Sequence, residues 1–434
     1  MTTDHTEPSP DSTPDSTSDS AKSQSPLFFL SAGEPSGDIH AAELVRALKK
    51  RFPTARFVAY GGPEMQKAGC ETPVLLTELA VMWFGRVLWH LRTFLRYLRD
   101  AKRFFEREKP DLVILVDFPG FNWLIAKRAK AAGVPVCYFM PPQIWSWAQH
   151  RVKKMKKYVD FTLSTLPFEE KWFRSHGVNA EYIGHPFFAE VRQKRLDTDF
   201  LARLAPDDAQ RPILLILPGS RNQEVAVNFA DMLDAARRVS GAVSSVRPMI
   251  GAFQERQAEQ IRARLVKERL DWPVFVGKTP ELMAACTCAL AVSGSVSMEL
   301  LARTKPTVIY YRLSRLAHLV MRRYICVKYI TLVNLLAADR TDGESLFYDH
   351  RTRLLPKEPT ERQREISLFP EFLVDSNRSQ AAAEPLIEWL TNHDALEHRR
   401  KRLAELLQAE DDGTDPIERA AEIIANRIEQ PPAL

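Results

Sequence analysis

Short runs of apolar residues alternate with amphipathic stretches along most of the chain. In the first half, predicted strands of four to six apolar residues lie at 27–31, 57–60, 112–116, 134–139 and 161–164. A strand that is covered by helices on both faces reads as a continuous apolar run, because neither face meets water. The pattern therefore predicts a doubly wound parallel sheet of the α/β class.

The same rhythm restarts after a linker around 186–210. Predicted strands follow at 213–217, 247–251, 274–276, 289–292 and 307–311. The last 60 residues show no strand pattern, and three helices with charged faces are predicted there, at 380–390, 396–408 and 416–428. Two such sheets in tandem predict two domains that face each other across a cleft, with terminal helices packing around the domains or crossing between them.

Length and composition also favour two cores. The chain has 434 residues, of which 45% are hydrophobic, and this exceeds what a single core usually organises. We predict a Rossmann-like domain at 27–190, a second at 205–375 and terminal helices at 376–434. Residues 1–26 are mostly Ser, Thr, Asp and Pro. Such a tail buries too little surface to offset the entropy of ordering, so we predict that it is disordered.

Cysteine usage and hydropathy indicate the compartment. The five cysteines show no paired spacing typical of a zinc site or a disulfide framework, which favours a reducing compartment. The tail has neither the basic start nor the apolar run of a signal peptide. No run of about 18 apolar residues predicts a membrane-spanning helix. We expect a cytoplasmic protein that is soluble or bound to a surface.

The net charge of +5 is modest, but its placement is uneven. Basic residues concentrate at 86–109, 151–157 and 312–328, and no Asp or Glu occurs from 310 to 338. Such patches attract anions, whether lipid head groups, phosphorylated substrates or nucleic acid, unless each is merely a solvated basic face. Nucleic-acid binding predicts aromatic side chains interleaved with the basic ones. Here the aromatic residues cluster at one end of a helix, so we expect no nucleic-acid partner.

One candidate anion site follows the predicted strand at 213–217. Pro218, Gly219, Ser220 and Arg221 lead into a helix that begins near Gln223. A glycine turn at a helix start presents backbone N–H groups and a positive dipole end, and the arginine adds donors for phosphate. The alternative is an ordinary strand-to-helix turn with a solvated arginine.

A second glycine-serine loop follows the predicted strand at 289–292. Gly294, Ser295 and Val296 let a ligand approach the backbone, and Glu299 lies one turn into the next helix, where a carboxylate could hold a ribose diol. Alone, this arrangement is also compatible with simple helix capping. Two such loops in one domain favour a nucleotide, whose base Phe275 and Gly277 could border.

The first domain carries different loops. Gly33, Glu34 and Ser36 lie between the first strand and a helix, without the glycine spacing of a dinucleotide fold, and no P-loop pattern occurs in the chain. Hydride transfer and P-loop chemistry are therefore disfavoured. Asp117 directly follows the apolar run 112–116, so it is predicted to face the cleft as a general base. Capping of the helix near Asn122 is its alternative role.

A stripe of aromatic and aliphatic residues between 81 and 98 recurs at helical spacing beside basic residues. These features suit a helix lying in an anionic membrane interface, and a helix covering the sheet is the alternative. The predicted docking residues are Val81, Met82, Trp83, Phe84, Arg86, Val87, Leu88, Leu91 and Arg92.

Several segments, taken in order, resemble the lipid A disaccharide synthase family. They are SAGEPSGD (31–38), LAVM (79–82), VDFPGFN (116–122), PPQIWSWAQHR (141–151), LPFE (166–169), IGHP (183–186), LPGSR (217–221), SGSVSMEL (293–300) and VNLLA (333–337). No single motif is decisive, but their order and spacing cover nearly the whole chain beyond the tail.

The resemblance implies an inverting, metal-independent glycosyltransferase of the GT-B fold that needs no cofactor. Its implied substrates are UDP-2,3-diacylglucosamine and 2,3-diacylglucosamine 1-phosphate, joined by a β-1,6 linkage with release of UDP. Asp117 matches the family's proposed base. Arg221 with Ser220 would stabilise the diphosphate, Glu299 would hold the ribose, and Asn334 would line the donor site.

The acylated substrates imply that the enzyme docks on the inner face of the cytoplasmic membrane as a peripheral protein. A homodimer with exchanged terminal helices is compatible with this interpretation. A UDP-sugar epimerase, or another transferase of the same architecture, is the alternative enzyme.

Overall fold

The computed structural model describes residues 25–77, 91–204, 210–348, 356 and 358–430. All but the last two residues of the predicted tail lie outside these ranges. So do seven of the predicted membrane-docking residues: Val81, Met82, Trp83, Phe84, Arg86, Val87 and Leu88.

The first half of the chain forms a seven-stranded parallel sheet with the order β3-β2-β1-β4-β5-β6-β7. Its strands are β1 (Leu27–Ala32), β2 (Arg56–Gly61), β3 (Glu71–Leu75), β4 (Leu112–Val116), β5 (Val136–Phe139), β6 (Phe161–Ser164) and β7 (Ala180–Tyr182). Its helices are α1 (Pro35–Arg51), α2 (Pro63–Lys67), α3 (Leu91–Glu108), α4 (Pro119–Ala131), α5 (Ile144–Trp147), α6 (Val152–Tyr158) and α7 (Pro167–Ser175), with a 3-10 turn at Gln149–Arg151.

The second half forms a six-stranded parallel sheet with the order β10-β9-β8-β11-β12-β13. Its strands are β8 (Ile213–Leu217), β9 (Arg247–Ala252), β10 (Val274–Val276), β11 (Cys288–Ala291), β12 (Thr307–Arg312) and β13 (Glu371–Val374). The helices here are α8 (Pro186–Gln193), α9 (Thr198–Leu204), α10 (Asn222–Ala242), α11 (Glu255–Lys267), α12 (Thr279–Ala285), α13 (Val296–Ala302), α14 (Arg315–Tyr324), α15 (Leu332–Asp339) and α16 (Glu361–Ile366).

The predicted two-sheet α/β architecture is confirmed, and the ten predicted strands all form. The sequence pattern missed β3, β7 and β13. Each of them lies at the edge of its sheet, and β3 buries only Val74 fully. Because an edge strand is partly exposed, it does not read as a continuous apolar run.

Three terminal helices, α17 (Ser379–Thr391), α18 (His393–Glu410) and α19 (Pro416–Glu429), complete the chain. The helix α17 packs beside α10 on the second sheet, whereas α19 returns to the first and packs along α1. Ile417 and Ile424 are buried in the core of the first sheet, and Glu418 forms ion pairs with Lys50 and Arg51. Of the two arrangements that the sequence left open, packing around the domains or crossing between them, the terminal helices therefore cross from the second sheet to the first.

In each sheet the strand order reverses at one point, so that the chain continues from the two neighbouring strands toward opposite edges of the sheet. In the first sheet this point lies between β1 and β4, and in the second it lies between β8 and β11. Ligands of open α/β sheets bind at the carboxyl ends of such strands. The four loops that sequence analysis selected in the two halves follow these four strands.

Only the carboxyl-terminal part of the predicted membrane stripe lies in the described ranges. It belongs to α3, which begins at Leu91, with Arg92 exposed. Phe94 and Leu98 of α3 are buried in the core, and Phe94 stacks edge-on against Phe121 at a centroid distance of 5.4 Å. Phe94 and Leu98 therefore cover the sheet, whereas Leu95 of the same stripe is 49% exposed.

Candidate active site

A cleft of about 1850 Å³ opens between the two sheets. Ser36 and Asp117 line it from the first sheet, and Gly294 and Ser295 line it from the second. The fold therefore brings together four of the residues that sequence analysis selected, although they lie far apart in the chain.

Asp117 occupies a constrained turn at the end of β4. Both Asp117 and Phe118 have left-handed backbone angles, with φ of 42° and 43°, a conformation that costs free energy for residues other than glycine. Tyr138 Oη donates a hydrogen bond to the Asp117 carbonyl at 2.7 Å, and Asn122 Nδ2 donates to the same oxygen at 2.8 Å. The Asn122 amide is fully buried, and Ser31 Oγ donates to its Oδ1 at 2.7 Å. Neighbouring strands thus hold the turn in place.

The electrostatic surroundings of Asp117 suit a base. Burial and, to a smaller extent, repulsion from Glu34 raise the pKa of its carboxyl, a hydrogen bond from the Phe118 backbone lowers it, and the net value is about 6. A carboxyl with this pKa is mostly ionised at neutral pH, yet it is a stronger proton acceptor than an ordinary aspartate.

The loop after β1 lies against the Asp117 turn. A Cβ atom added to Gly33 would lie 2.2 Å from Cδ1 of Phe118, so only glycine leaves room for that ring. Glu34 and Ser36 are exposed at the start of α1. Sequence analysis assigned no role to Asp38 in the same loop. Its buried carboxylate accepts hydrogen bonds from three backbone N–H groups around the start of α2, those of Gly62, Glu64 and Met65.

In the turn after β8, the groups that were predicted to bind a diphosphate instead bind a glutamate side chain of the protein itself. Oε2 of Glu224 accepts hydrogen bonds from the backbone N–H groups of Ser220 and Arg221 at 3.1 and 3.2 Å. Arg221 Nη1 donates to the other carboxylate oxygen at 3.0 Å, and the Arg221 side chain is 80% exposed. The turn therefore binds a carboxylate with the donors that were predicted for a phosphate, and neither Ser220 nor Arg221 lines the cleft.

In the second loop, Gly294 and Ser295 are exposed to the cleft and Val296 begins α13 as a half-buried residue. Glu299, one turn further, lies 3.5 Å from Arg303 Nη2 and 4.0 Å from Lys194 Nζ. The Glu299 side chain is 18% exposed and is not among the lining residues.

Three further predicted residues lie away from the cleft surface. Phe275 packs edge-on against Phe200 at a centroid distance of 5.3 Å, and Gly277 follows it in an exposed turn. Asn334 is fully buried. Its Nδ2 donates to Phe369 O and to Oε1 of Glu371, and its Oδ1 accepts from the backbone N–H groups of Leu368 and Phe369. In this structure the Asn334 amide therefore holds the segment before β13 in place.

Sequence reasoning missed several buried polar side chains near the cleft. Trp145 Nε1 donates to Oε1 of the buried Glu169 at 2.8 Å, and burial raises the pKa of Glu169 to about 8. His185 lines the cleft, and its burial, together with the nearby His40, lowers its pKa to about 3, which keeps the ring neutral. The motifs LPFE and IGHP contain Glu169 and His185, but no spacing rule indicates which buried partner each would meet.

Two statements about the described residues bear on other predictions. No group of three or more His, Cys, Asp or Glu within these ranges is placed to hold a metal ion. No helix in the same part of the chain is long and apolar enough to cross a membrane.

Two parallel Rossmann-like sheets that meet at a cleft, each with its switch point at that cleft, place the chain in the GT-B fold class. A putative UDP-N-acetylglucosamine 2-epimerase from Listeria monocytogenes has the same fold, with a TM-score of 0.57 over 93% of this chain and 96% of that chain. At 12% identity this likeness shows the fold alone.

The sequence comparisons are more specific. The model of the lipid-A-disaccharide synthetase family matches residues 28–360. A lipid-A-disaccharide synthase of Myxococcus xanthus is 37% identical over 74% of this chain and 84% of its own length. One from Nitrosococcus oceani is 31% identical over 85% of this chain and 96% of its own length. The chain therefore belongs to the lipid-A-disaccharide synthetase family and is a glycosyltransferase, which confirms the resemblance and favours it over the epimerase alternative.

Proposed function

We propose that the chain transfers 2,3-diacylglucosamine from UDP-2,3-diacylglucosamine to 2,3-diacylglucosamine 1-phosphate. The products are UDP and a β-1,6-linked disaccharide 1-phosphate. Asp117 carries this proposal, because it lines the same cleft as Gly294 and Ser295 of the second sheet in a chain of this family.

In the proposed reaction the 6-hydroxyl of the acceptor attacks the anomeric carbon of the donor. The Asp117 carboxylate accepts the hydroxyl proton as the new C–O bond forms. The bond from the anomeric carbon to the diphosphate breaks with inversion, and its electron pair leaves with UDP. The raised pKa of Asp117 supports this role, because proton transfer is most effective when the pKa of the base lies near the working pH.

The loops of the second sheet would hold the UDP. Backbone N–H groups around Gly294 and Ser295, together with the N–H groups of Ser220 and Arg221, would bind the diphosphate and stabilise its developing charge without a metal. In this arrangement UDP displaces the Glu224 carboxylate from the turn after β8.

The remaining predicted residues would act around this diphosphate site. Glu299 would hold the ribose, and Phe275 with Gly277 would border the base. Asn334 would act indirectly, by holding the segment that leads to β13.

The experiment replaces Asp117 by Asn and compares this variant with Asp271→Asn, which changes an exposed carboxylate. We expect Asp117→Asn to lower turnover by about a hundredfold or more, because a positioned base contributes on that scale. UDP affinity, measured by calorimetry, should stay unchanged. Wild-type turnover in Asp117→Asn would remove Asp117 from the mechanism, and failure of the wild-type protein to form disaccharide in detergent micelles would refute the proposed reaction.

The proposal includes binding to the inner face of the cytoplasmic membrane through the segment that contains Trp83 and Phe84. The acyl chains of both substrates and the basic residues beside this segment support it, since each basic residue near an anionic surface contributes about 1 kcal/mol. The double variant Trp83→Ser and Phe84→Ser should bind vesicles more weakly. The proposal also includes a homodimer with exchanged terminal helices, because a helix such as α19 that crosses between domains can make the same contacts with a second copy. Light scattering would test whether the dimer forms.

A further inference from the structure

The helix α14 exposes large apolar side chains to solvent. Leu316 is 72% exposed, Leu319 53%, Val320 49% and Tyr324 61%. Residues at these spacings lie on one face of a helix. Soluble proteins rarely leave such a contiguous apolar face uncovered unless it binds something.

The orientation of α14 is fixed from its other face. His318 is buried, and its Nδ1 lies 3.3 Å from Oδ2 of Asp375. At the start of the helix, Ser314 Oγ accepts a hydrogen bond from the backbone N–H of Ala317. Turning the apolar face inward would require exposing His318 and breaking its contact with Asp375. The packing of His318 therefore keeps the apolar face of α14 directed toward solvent.

The charged side chains of α14 itself are all arginines. Arg315 and Arg323 are exposed on α14, and Arg322 lines the cleft. No acidic residue occurs from 310 to 338. Two other basic residues of this segment serve internal ion pairs, Arg312 with Asp231 and Lys328 with Glu344. The exposed Arg315 and Arg323 thus add a positive field that attracts anions to the apolar face.

The position of α14 places this face at the edge of the cleft. Val320 and Tyr324 line the cleft as well as belonging to the exposed face. Just beyond the helix, the backbone N–H of Cys326 donates to Ser146 O at 2.7 Å, which ties the segment to the first half of the chain. Next to Ser146, the half-exposed Trp147 also lines the cleft, and the guanidinium of Arg151 lies 4.6 Å from its ring centroid.

We propose that the exposed face of α14 docks on an anionic lipid bilayer. An apolar face flanked by arginines, on a helix that lies along the surface, has the composition of an interfacial membrane helix. Leucine and valine side chains would enter the acyl boundary, and the arginines would meet lipid phosphates at the level of the head groups. The cleft would then open next to the membrane surface.

A second copy of the chain fits this face less well. A two-fold symmetric dimer through α14 would bring the arginines of both copies together, with no acidic residue of the segment to compensate them. A helix of 10 residues is about 15 Å long, which supplies only a small part of the area that a stable dimer needs.

The exposed face of α14 and the segment that contains Trp83 and Phe84 are both proposed to bind the membrane. They have no residue in common and lie on different domains. The test measures co-sedimentation of the full-length protein with phosphatidylglycerol vesicles. Leu316→Ser with Leu319→Ser should weaken binding by about tenfold, because two apolar side chains no longer enter the bilayer. Val266→Ser, which changes a 76% exposed valine on α11, is the matched control and should bind like the wild-type protein.

A second double variant, Arg315→Gln with Arg323→Gln, tests how much the positive charge of α14 contributes to vesicle binding. This variant should bind phosphatidylglycerol vesicles more weakly than the wild-type protein does, and its binding should depend less on salt. Its affinity for uncharged phosphatidylcholine vesicles, which is expected to be lower in the wild-type protein as well, should stay unchanged. Vesicle binding by both variants at the level of the Val266→Ser control would overturn the proposal. So would a wild-type dimer that Leu316→Ser with Leu319→Ser dissociates while vesicle binding is unchanged. Disaccharide formation in detergent micelles reports on the proposed reaction separately.

Discussion

Asp117 combines partial burial with a neighbouring acidic residue, and both raise its pKa to about 6. A general base must be ionised to accept a proton. Activity should therefore be lost as the pH falls through this value, and the expected profile of kcat/KM rises up to about pH 6 and is level above it.

Replacing Glu34 by Gln removes a negative charge that opposes ionisation of Asp117. The pKa of Asp117 should fall, and the acid limb of the kcat/KM profile should move to lower pH by a few tenths of a unit, about what one partly screened charge supplies. Glu64→Gln, in the next helix, is the control and should leave the profile in place. A shift to higher pH would contradict the assignment of Asp117 as the titrating base.

Glu169 is a second residue whose environment determines its protonation. Burial raises its pKa from 4.5 to about 8, so the folded state binds a proton that the unfolded state releases between these values. Its contribution to the free energy of unfolding is then greatest below about pH 4.5 and declines as the pH rises to about 8.

Glu169→Gln keeps an oxygen that can accept from Trp145 Nε1 and removes the titration. Compared with the wild-type protein, this variant should gain stability as the pH rises, by on the order of 1–3 kcal/mol at pH 8. Thermal unfolding at several pH values measures the difference, with the exposed Glu259→Gln as control. A difference that does not change with pH would show that Glu169 does not titrate in this range.

At the scale of single elements, the turn between β8 and α10 depends on one glycine. Gly219 has a φ of 128°, and a Cβ atom there would lie 2.6 Å from Cβ of Glu224. Gly219→Ala should distort the backbone N–H groups that are proposed to bind the diphosphate, and it should weaken UDP binding by about tenfold, the loss of roughly one charged hydrogen bond.

The control lies in the helix that this turn begins. Gly241, near the end of α10, has no atom within 4 Å of an added Cβ, so Gly241→Ala should raise stability by about 0.5–1 kcal/mol and leave UDP binding unchanged. Equal UDP affinities of the two variants in calorimetry would argue against a role of the turn in binding.

The elements also show where pattern reading succeeds. Central strands such as β1 and β4 are buried on both faces, so their apolar runs indicated them directly. The edge strands β3, β7 and β13 were missed because exposure breaks the run. Asp117 was found because it ends a central strand, whereas Glu169 was overlooked because its partner Trp145 lies 24 residues away in the chain.

At the scale of the whole molecule, the last helix is part of the first domain's core. Ile424 of α19 is fully buried in the cluster that covers the first sheet. Ile424→Ala should lower the free energy of unfolding by about 2–4 kcal/mol, the usual cost of a large core truncation. Thermal unfolding measures this, with the exposed Glu422→Ala as control. Equal melting temperatures of the two variants would show that α19 does not contribute to this core.

The sequence by itself determined the two α/β sheets, the central strands, the loops at both switch points and the family, because these depend on local patterns and on motif order. Only the tertiary structure decided which loop residues meet. Ser36, Asp117, Gly294 and Ser295 share one cleft, whereas Asn334 is enclosed and Arg221 is held by Glu224. The exposed face of α14 also became visible only there, because its apolar spacing is equally typical of a buried helix, and burial depends on what packs against it.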